Sequence, residues 1–286
     1  MPLFMSISGY CFQMKKPNYD GIFDYFKFLS KKFKRLIVPL VFVKYFYMMP
    51  IMYAVGGYKF QSNDICRNLL EYICNLKTDY LWYLWVLFAI FCVQGLTHLF
   101  DNRGYIFIIE LLASFLLLES TYIDFFKIPH ALEQIFIYMF WFILGRIIFS
   151  LKIDSKYIYF VACFLILILI ELLMKKTLLY TNFTDIIWKI CMIIMAYNVT
   201  SLISSFISNL KFGRDYSMGV YLFHVPIMYI ILHIIESKNS YFLAAFLTAA
   251  GIMLSVIITK IVRYLNLNFI LGENNEVKFN NSNRRV

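Results

Sequence analysis

Between residues 36 and 262 the sequence is a succession of apolar runs of helix-spanning length, near 36–56, 80–100, 104–119, 131–149, 157–174, 186–207, 216–235 and 241–262. A hydrocarbon core about 30 Å thick takes about 20 residues of α-helix per crossing. A soluble domain has no need of so many uncharged runs of that length, so the chain is to be counted in spans. Composition agrees: 61% of residues are apolar and 15% charged, against about half and about a quarter in soluble domains. The predicted fold class is all-α, a polytopic transmembrane helix bundle with eight full spans and a partial N-terminal one.

Residues 1–12 are apolar but reach only about 18 Å as a helix. They lack the basic n-region of a signal peptide and read as the end of a helix whose beginning is absent. Translocating Lys and Arg is disfavoured, so their distribution over alternate connections sets orientation. Residues 13–35 hold Lys15, Lys16, Lys27, Lys31, Lys32, Lys34 and Arg35, and with the later connections on that side, Arg146 counted among them, the total reaches eighteen against seven opposite. The basic loops are therefore expected in the cytoplasm, with the chain integral to the cell (inner) membrane. The net charge of +10 is then a matter of topology, and no nucleic-acid partner is implied.

Three segments fall outside the spans. Residues 21–36 place Ile22, Phe26, Leu29, Phe33 and Leu36 on one helical face and Lys27, Lys31, Lys34 and Arg35 on others, which describes a basic amphipathic helix on the inner leaflet. Residues 273–286, rich in Asn and without apolar periodicity, read as a polar cytoplasmic tail. Cys66 and Cys74 share one loop and read as free thiols, or as a pair if that loop faces an oxidising compartment; no CxxC or Cys/His spacing suggests a metal.

Ionisable residues inside spans are costly and mark function by default. Lys44 and Glu110 lie deepest; Glu133, Glu171 and Lys189 sit near boundaries, within snorkelling reach of the interface. The most informative span is FGRDYSMGVYLFHVPIMYIILH, where Ser217, Tyr221, His224 and Met228 follow i, i+4, i+7 and i+11 and share one stripe. Pro226 has no N–H, so the carbonyl of Leu222 loses its helical donor. An imidazole on such a stripe serves as a general base or a substrate contact, or else as a packed polar residue. In SKKFKRLIVP, the cluster of Lys32, Lys34 and Arg35 suits the phosphates of a nucleotide-like cofactor or anionic lipid.

Four strings in this order, MPLFMSISGY, KKFKRLIVP, LWYLWVLF and YSMGVYLFHVPI, resemble the acyltransferase 3 family of membrane acyltransferases over residues 1–272. The resemblance implies a ten-helix inner-membrane enzyme that moves an acyl group, commonly acetyl from acetyl-CoA, onto a hydroxyl of a surface saccharide. Residues 1–12 then match the second half of the family's second helix, and the eight spans its third to tenth. The family's basic motif falls on Lys32 and Arg35, with Lys in place of the usual first Arg, and implies that these residues and Lys34 hold acyl-CoA phosphates. Its late motif falls on Tyr221, His224 and Pro226. The family's catalytic histidine lies in a first helix with no counterpart here, which leaves His224 as the catalytic candidate.

The expected activity is thus O-acetylation of a cell-surface polysaccharide or glycolipid, with acetyl-CoA as donor, no metal, and Tyr221, Ser217 and Lys44 on the acceptor side. The oligomeric state is left open. Two rivals stand beside this reading: a polysaccharide exporter or flippase, which shares the buried charges but needs no acetyl-CoA, and an inactive, truncated paralogue.

Overall fold

The computed structural model describes residues 1–15, 21–54, 80–100, 105–122, 130–153, 157–177, 182–207, 215–235 and 241–273. Every regular element among them is helical: α1 (Pro2–Met14), α2 (Ile22–Val43), a π-turn (Lys44–Met48), α3 (Met49–Ala54), α4 (Trp82–Phe100), α5 (Tyr105–Tyr122), α6 (His130–Leu151), α7 (Tyr157–Thr177), α8 (Asn182–Ile207), α9 (Ser217–Ile235), α10 (Tyr241–Tyr264) and a 3-10 turn (Asn268–Leu271). An apolar solvent leaves this as the economical way to satisfy a backbone within its own segment.

Among the described residues, four of the expected spans are long and apolar enough by themselves to cross a membrane, at Leu132–Leu151, Thr184–Ile203, Ser217–Ile235 and Leu243–Tyr264. The runs expected at 80–100 and 157–174 form helices whose apolar stretches are shorter, Trp82–Thr97 and Ile158–Glu171. The run at 104–119 is α5, and the run at 36–56 is divided among the end of α2, the π-turn and α3. Polarity is distributed as a bilayer requires. Ile158, Val161, Leu165 and Leu169 of α7 are exposed, while Ser6, Gln94, Ser114, Asn198, Ser255 and Thr259 are buried. Lipid tails reward no withdrawal of leucine, whereas polar groups gain by meeting one another inside.

By its contacts the chain divides into two compact units, Met1–Asp20 with Leu96–Phe212, and Gly21–Gly95 with Gly213–Val286. In the first unit, α1 crosses α6 at a pair of glycines. A Cβ on Gly9 would lie 1.9 Å from the Phe142 carbonyl oxygen, and one on Gly145 would lie 1.9 Å from that of Ser6. Each helix thus offers the other a bare patch of backbone, and the approach depends on both. Beside the crossing, Tyr10 stacks on Tyr197 at 5.2 Å, and Ser6 and Tyr197 share a hydrogen bond of 3.3 Å. Arg146, expected among the cytoplasmic loop charges, is instead a buried residue of α6. Its Nη1 donates to Glu110 at 2.8 Å and its Nε to Gln13 at 3.3 Å. The loop count erred here because Arg146 is only a turn and a half from the end of its helix. Glu110, placed deep in its span by the sequence, is the counter-ion. Lys189 pairs with Asp185 one turn earlier on α8.

In the second unit, α9 lies against α10 at another close approach, where a Cβ on Gly219 would meet Thr259 Oγ1 at 2.0 Å. The segment expected as a separate surface helix is continuous with the first expected span, since α2 passes through Pro39 and into the π-turn without a break. Ile22 and Phe26 of its apolar stripe remain exposed, and Phe33 stays partly so. The neighbouring face, however, is covered by α4: the Tyr25 hydroxyl donates to the Cys92 carbonyl at 2.9 Å, Phe28 meets Phe91 edge-on at 6.2 Å, and Phe33 meets Phe88 at 5.8 Å. Periodicity located one apolar face of α2, while this second contact runs through aromatic rings set among the lysines. Cys66, Cys74, the loop at 57–79 and residues 274–286 lie outside the described residues.

Candidate functional site

The second unit gathers His224 with three tyrosines. Helix α9 runs unbroken through Pro226, and the carbonyl that the proline leaves without its donor is taken by a side chain from elsewhere: the Tyr80 hydroxyl donates to the Leu222 carbonyl at 2.5 Å. The exchange is reciprocal, because the Tyr221 hydroxyl donates to the Tyr80 carbonyl at 2.6 Å. Both phenols are thereby fixed as donors to backbone. Their rings close around the imidazole, with Tyr80 5.7 Å from His224 and Tyr221 6.3 Å from it. Tyr83 sits edge-on to Tyr221 at 5.8 Å.

The tautomer of the His224 ring is set by its partners. Nδ1 lies 2.8 Å from the Val220 carbonyl and 3.0 Å from that of Tyr221. A carbonyl oxygen only accepts, so Nδ1 carries the proton and, in the neutral ring, Nε2 presents its lone pair. The half-buried imidazole is thus held in the tautomer that accepts a proton at Nε2, with an aromatic wall beside it.

Of the other residues singled out by sequence, Ser217 begins α9 in an exposed position. Its backbone N–H donates to Asp215 Oδ1 at 2.8 Å. That hydrogen bond, aided by the charges of Arg263 and Arg35, holds the Asp215 carboxyl below the usual carboxylate range. Lys44 is buried in the π-turn, and Tyr47, three residues on, packs edge-on against Phe223 of α9 at 5.2 Å. A π-turn is a frequent companion of functional sites because it displaces side chains from the helical register.

The basic cluster is less uniform than its sequence suggests. Lys34 and Arg35 are exposed and available to an anion. Lys32 is partly covered, its ammonium 4.0 Å from the centre of the Phe91 ring and 5.3 Å from that of Phe28. A cation held on aromatic faces keeps its charge while losing mobility. Tyr80, Tyr83, Asp215 and Arg263 escaped sequence reasoning. Only the donorless Leu222 carbonyl signalled that a partner such as Tyr80 had to exist. Among the described residues no group of three or more His, Cys, Asp or Glu side chains is arranged to hold a metal.

A family model described as an acyltransferase domain, that of the acyltransferase 3 family, matches residues 1–260. The chain belongs to the acyltransferase 3 family. No curated protein and no solved structure matches it. The family and the apolar helices together make the protein a membrane acyltransferase.

Proposed function

We propose that this acyltransferase carries an acyl group, acetyl from acetyl-CoA, to a hydroxyl of a cell-surface polysaccharide or glycolipid. The observation that carries the reading is the fixed tautomer of His224 within its aromatic surround. An acceptor hydroxyl hydrogen-bonded to Nε2 gives up its proton as its oxygen attacks the thioester carbonyl. The tetrahedral intermediate collapses by breaking the C–S bond, and the departing thiolate takes the proton back from the imidazolium, leaving an ester and free CoA. The ring faces of Tyr80, Tyr83 and Tyr221 suit the C–H faces of a sugar. Tyr221, Ser217 and Lys44 lie on the acceptor side of this scheme.

Arg35 and Lys34, with Lys32 held on its aromatic shelf, are assigned to the phosphates of the donor. In this reading they face the cytoplasm, where acetyl-CoA is made, and the protein resides in the cell's inner membrane. The test is ester formation on the surface saccharide in cells lacking the native gene. Wild type is expected to restore acetylation, and His224→Gln to leave at most about a hundredth of it, given the 10²–10⁴ that general bases supply. Wild-type acetylation by the His224→Gln protein, at equal membrane abundance, contradicts the assignment.

A further inference from the structure

The segment after α10 folds back onto the basic turn of α2. Two left-handed residues make it do so. At Asn266 (φ 59°) the Leu267 N–H donates to the Val262 carbonyl at 3.0 Å and the Asn266 N–H to that of Arg263 at 3.1 Å, which is the Schellman pattern of a helix end. The pattern recurs at Gly272 (φ 65°), where the Glu273 N–H donates to the Asn268 carbonyl and the Gly272 N–H to that of Phe269. Between the two turns Ile270 and Leu271 are buried and Phe269 meets Phe42 of α2 edge-on at 5.5 Å.

Where this strap ends it touches Arg35. A Cβ on Gly272 would stand 2.3 Å from the Arg35 carbonyl oxygen and 2.8 Å from its Cα, so the two backbones are in direct contact and only glycine fits, on grounds of both space and φ. The next residue closes the strap, since the Glu273 carboxylate accepts from Arg263 Nε at 3.1 Å and from Nη2 at 2.5 Å. Arg263 also donates from Nη2 to the Asp215 carbonyl at 2.5 Å and lies over the Tyr216 ring at 4.8 Å. One guanidinium, its side chain nine-tenths buried, therefore ties the strap to the start of the helix that bears His224.

We infer that Gly272 and the Arg263–Glu273 pair are positioning residues of the donor site: they fix the backbone of Arg35 relative to the start of α9, and so the place of the guanidinium that meets the donor's phosphates. The inference rests on the assignment of Arg35 to the donor. The Arg35 side chain is exposed, so its place follows that of its backbone, and binding groups must be held to within about half an ångström. A methyl group at residue 272 must push the two backbones apart by about 1 Å to restore ordinary contact, a misplacement of the size that costs on the order of 10²-fold when a reacting group is affected.

The test uses the full-length protein in proteoliposomes, with acetyl-CoA binding and transfer kinetics both measured. Gly272→Ala and Glu273→Gln are expected to raise the donor Kd about tenfold or more with the acceptor KM unchanged. In an Arg35→Gln background Gly272→Ala is expected to have no further effect on donor Kd, because its effect passes through Arg35. Glu273→Gln guards against a Gly272→Ala protein that fails to fold. Donor Kd unchanged in Glu273→Gln and Gly272→Ala, or a Gly272→Ala effect that persists undiminished without Arg35, overturns the inference while the donor assignment stands. Wild-type protein that binds no acetyl-CoA overturns the assignment and the inference with it.

Discussion

Replacing Tyr80 with Phe removes a single oxygen, and its cost depends on another residue that Tyr80 does not bond. The Tyr80 hydroxyl supplies the Leu222 carbonyl with the donor that Pro226 withholds, at a residue that is itself fully buried. Hydrogen bonds between membrane helices average about 0.6 kcal/mol and reach about 1.7, while a buried acceptor left without any donor costs about 1–3 kcal/mol. With both limits in view, Tyr80→Phe is expected to destabilise by about 1–2 kcal/mol. Pro226→Ala restores an N–H aimed at the same carbonyl, so in that background Tyr80→Phe is expected to cost under about 0.5 kcal/mol. The coupling is thus about 1 kcal/mol, within reach of a double-mutant cycle run on unfolding equilibria in mixed micelles. An identical cost for Tyr80→Phe in both backgrounds would refute the claim that the tyrosine serves the proline's vacancy.

Other consequences are as direct. Gly9→Ala and Gly145→Ala are each expected to lower stability by about 2–3 kcal/mol through overpacking at the α1–α6 crossing; Gly21→Ala, which has open space around it, is expected to stay within about 0.5 kcal/mol, all three read by detergent-phase melting. Arg146→Met alone strands the buried Glu110 carboxylate and is expected to cost about 3–5 kcal/mol, most of it recovered by adding Glu110→Leu; equal loss in the single and double variants would count against the pair. Asp215, with its carboxyl held below the ordinary value of about 3.9, contributes stability that is present above that value and lost as pH falls through the lowered one. Asp215→Asn should therefore flatten the acid limb of melting temperature against pH below about pH 4.

How much was legible in the sequence depends on how local each signal is. Residue periodicity and Pro226 are local, so the stripe of Tyr221 and His224 and the orphaned Leu222 carbonyl were readable directly. The donor to that carbonyl was not, because Tyr80 sits beside the aromatic run LWYLWVLF, where no position is distinguished from its neighbours by composition. Arg146 was misplaced because a loop count assigns a charge near a helix end to water, whereas Glu110 from another helix draws it inward. The strap at Arg35 was hidden for a similar reason: Glu273 looks like the first residue of a polar tail until its partner Arg263, ten residues earlier, is seen. Lys32, Lys34 and Arg35 were found as a cluster, but the shelf of Phe28 and Phe91 that separates Lys32 from the other two is a tertiary feature.

The central claim is that this membrane protein catalyses transfer of an acyl group, and it is tested most directly in proteoliposomes holding the full-length wild-type protein, an oligosaccharide or glycolipid acceptor, and acetyl-CoA labelled in the acetyl group. The account predicts label appearing on the acceptor as an alkali-labile ester, one free CoA released per ester formed, and loss of both in His224→Gln. Acceptor crossing the bilayer unlabelled, with no CoA released, would contradict it and make the protein a transporter.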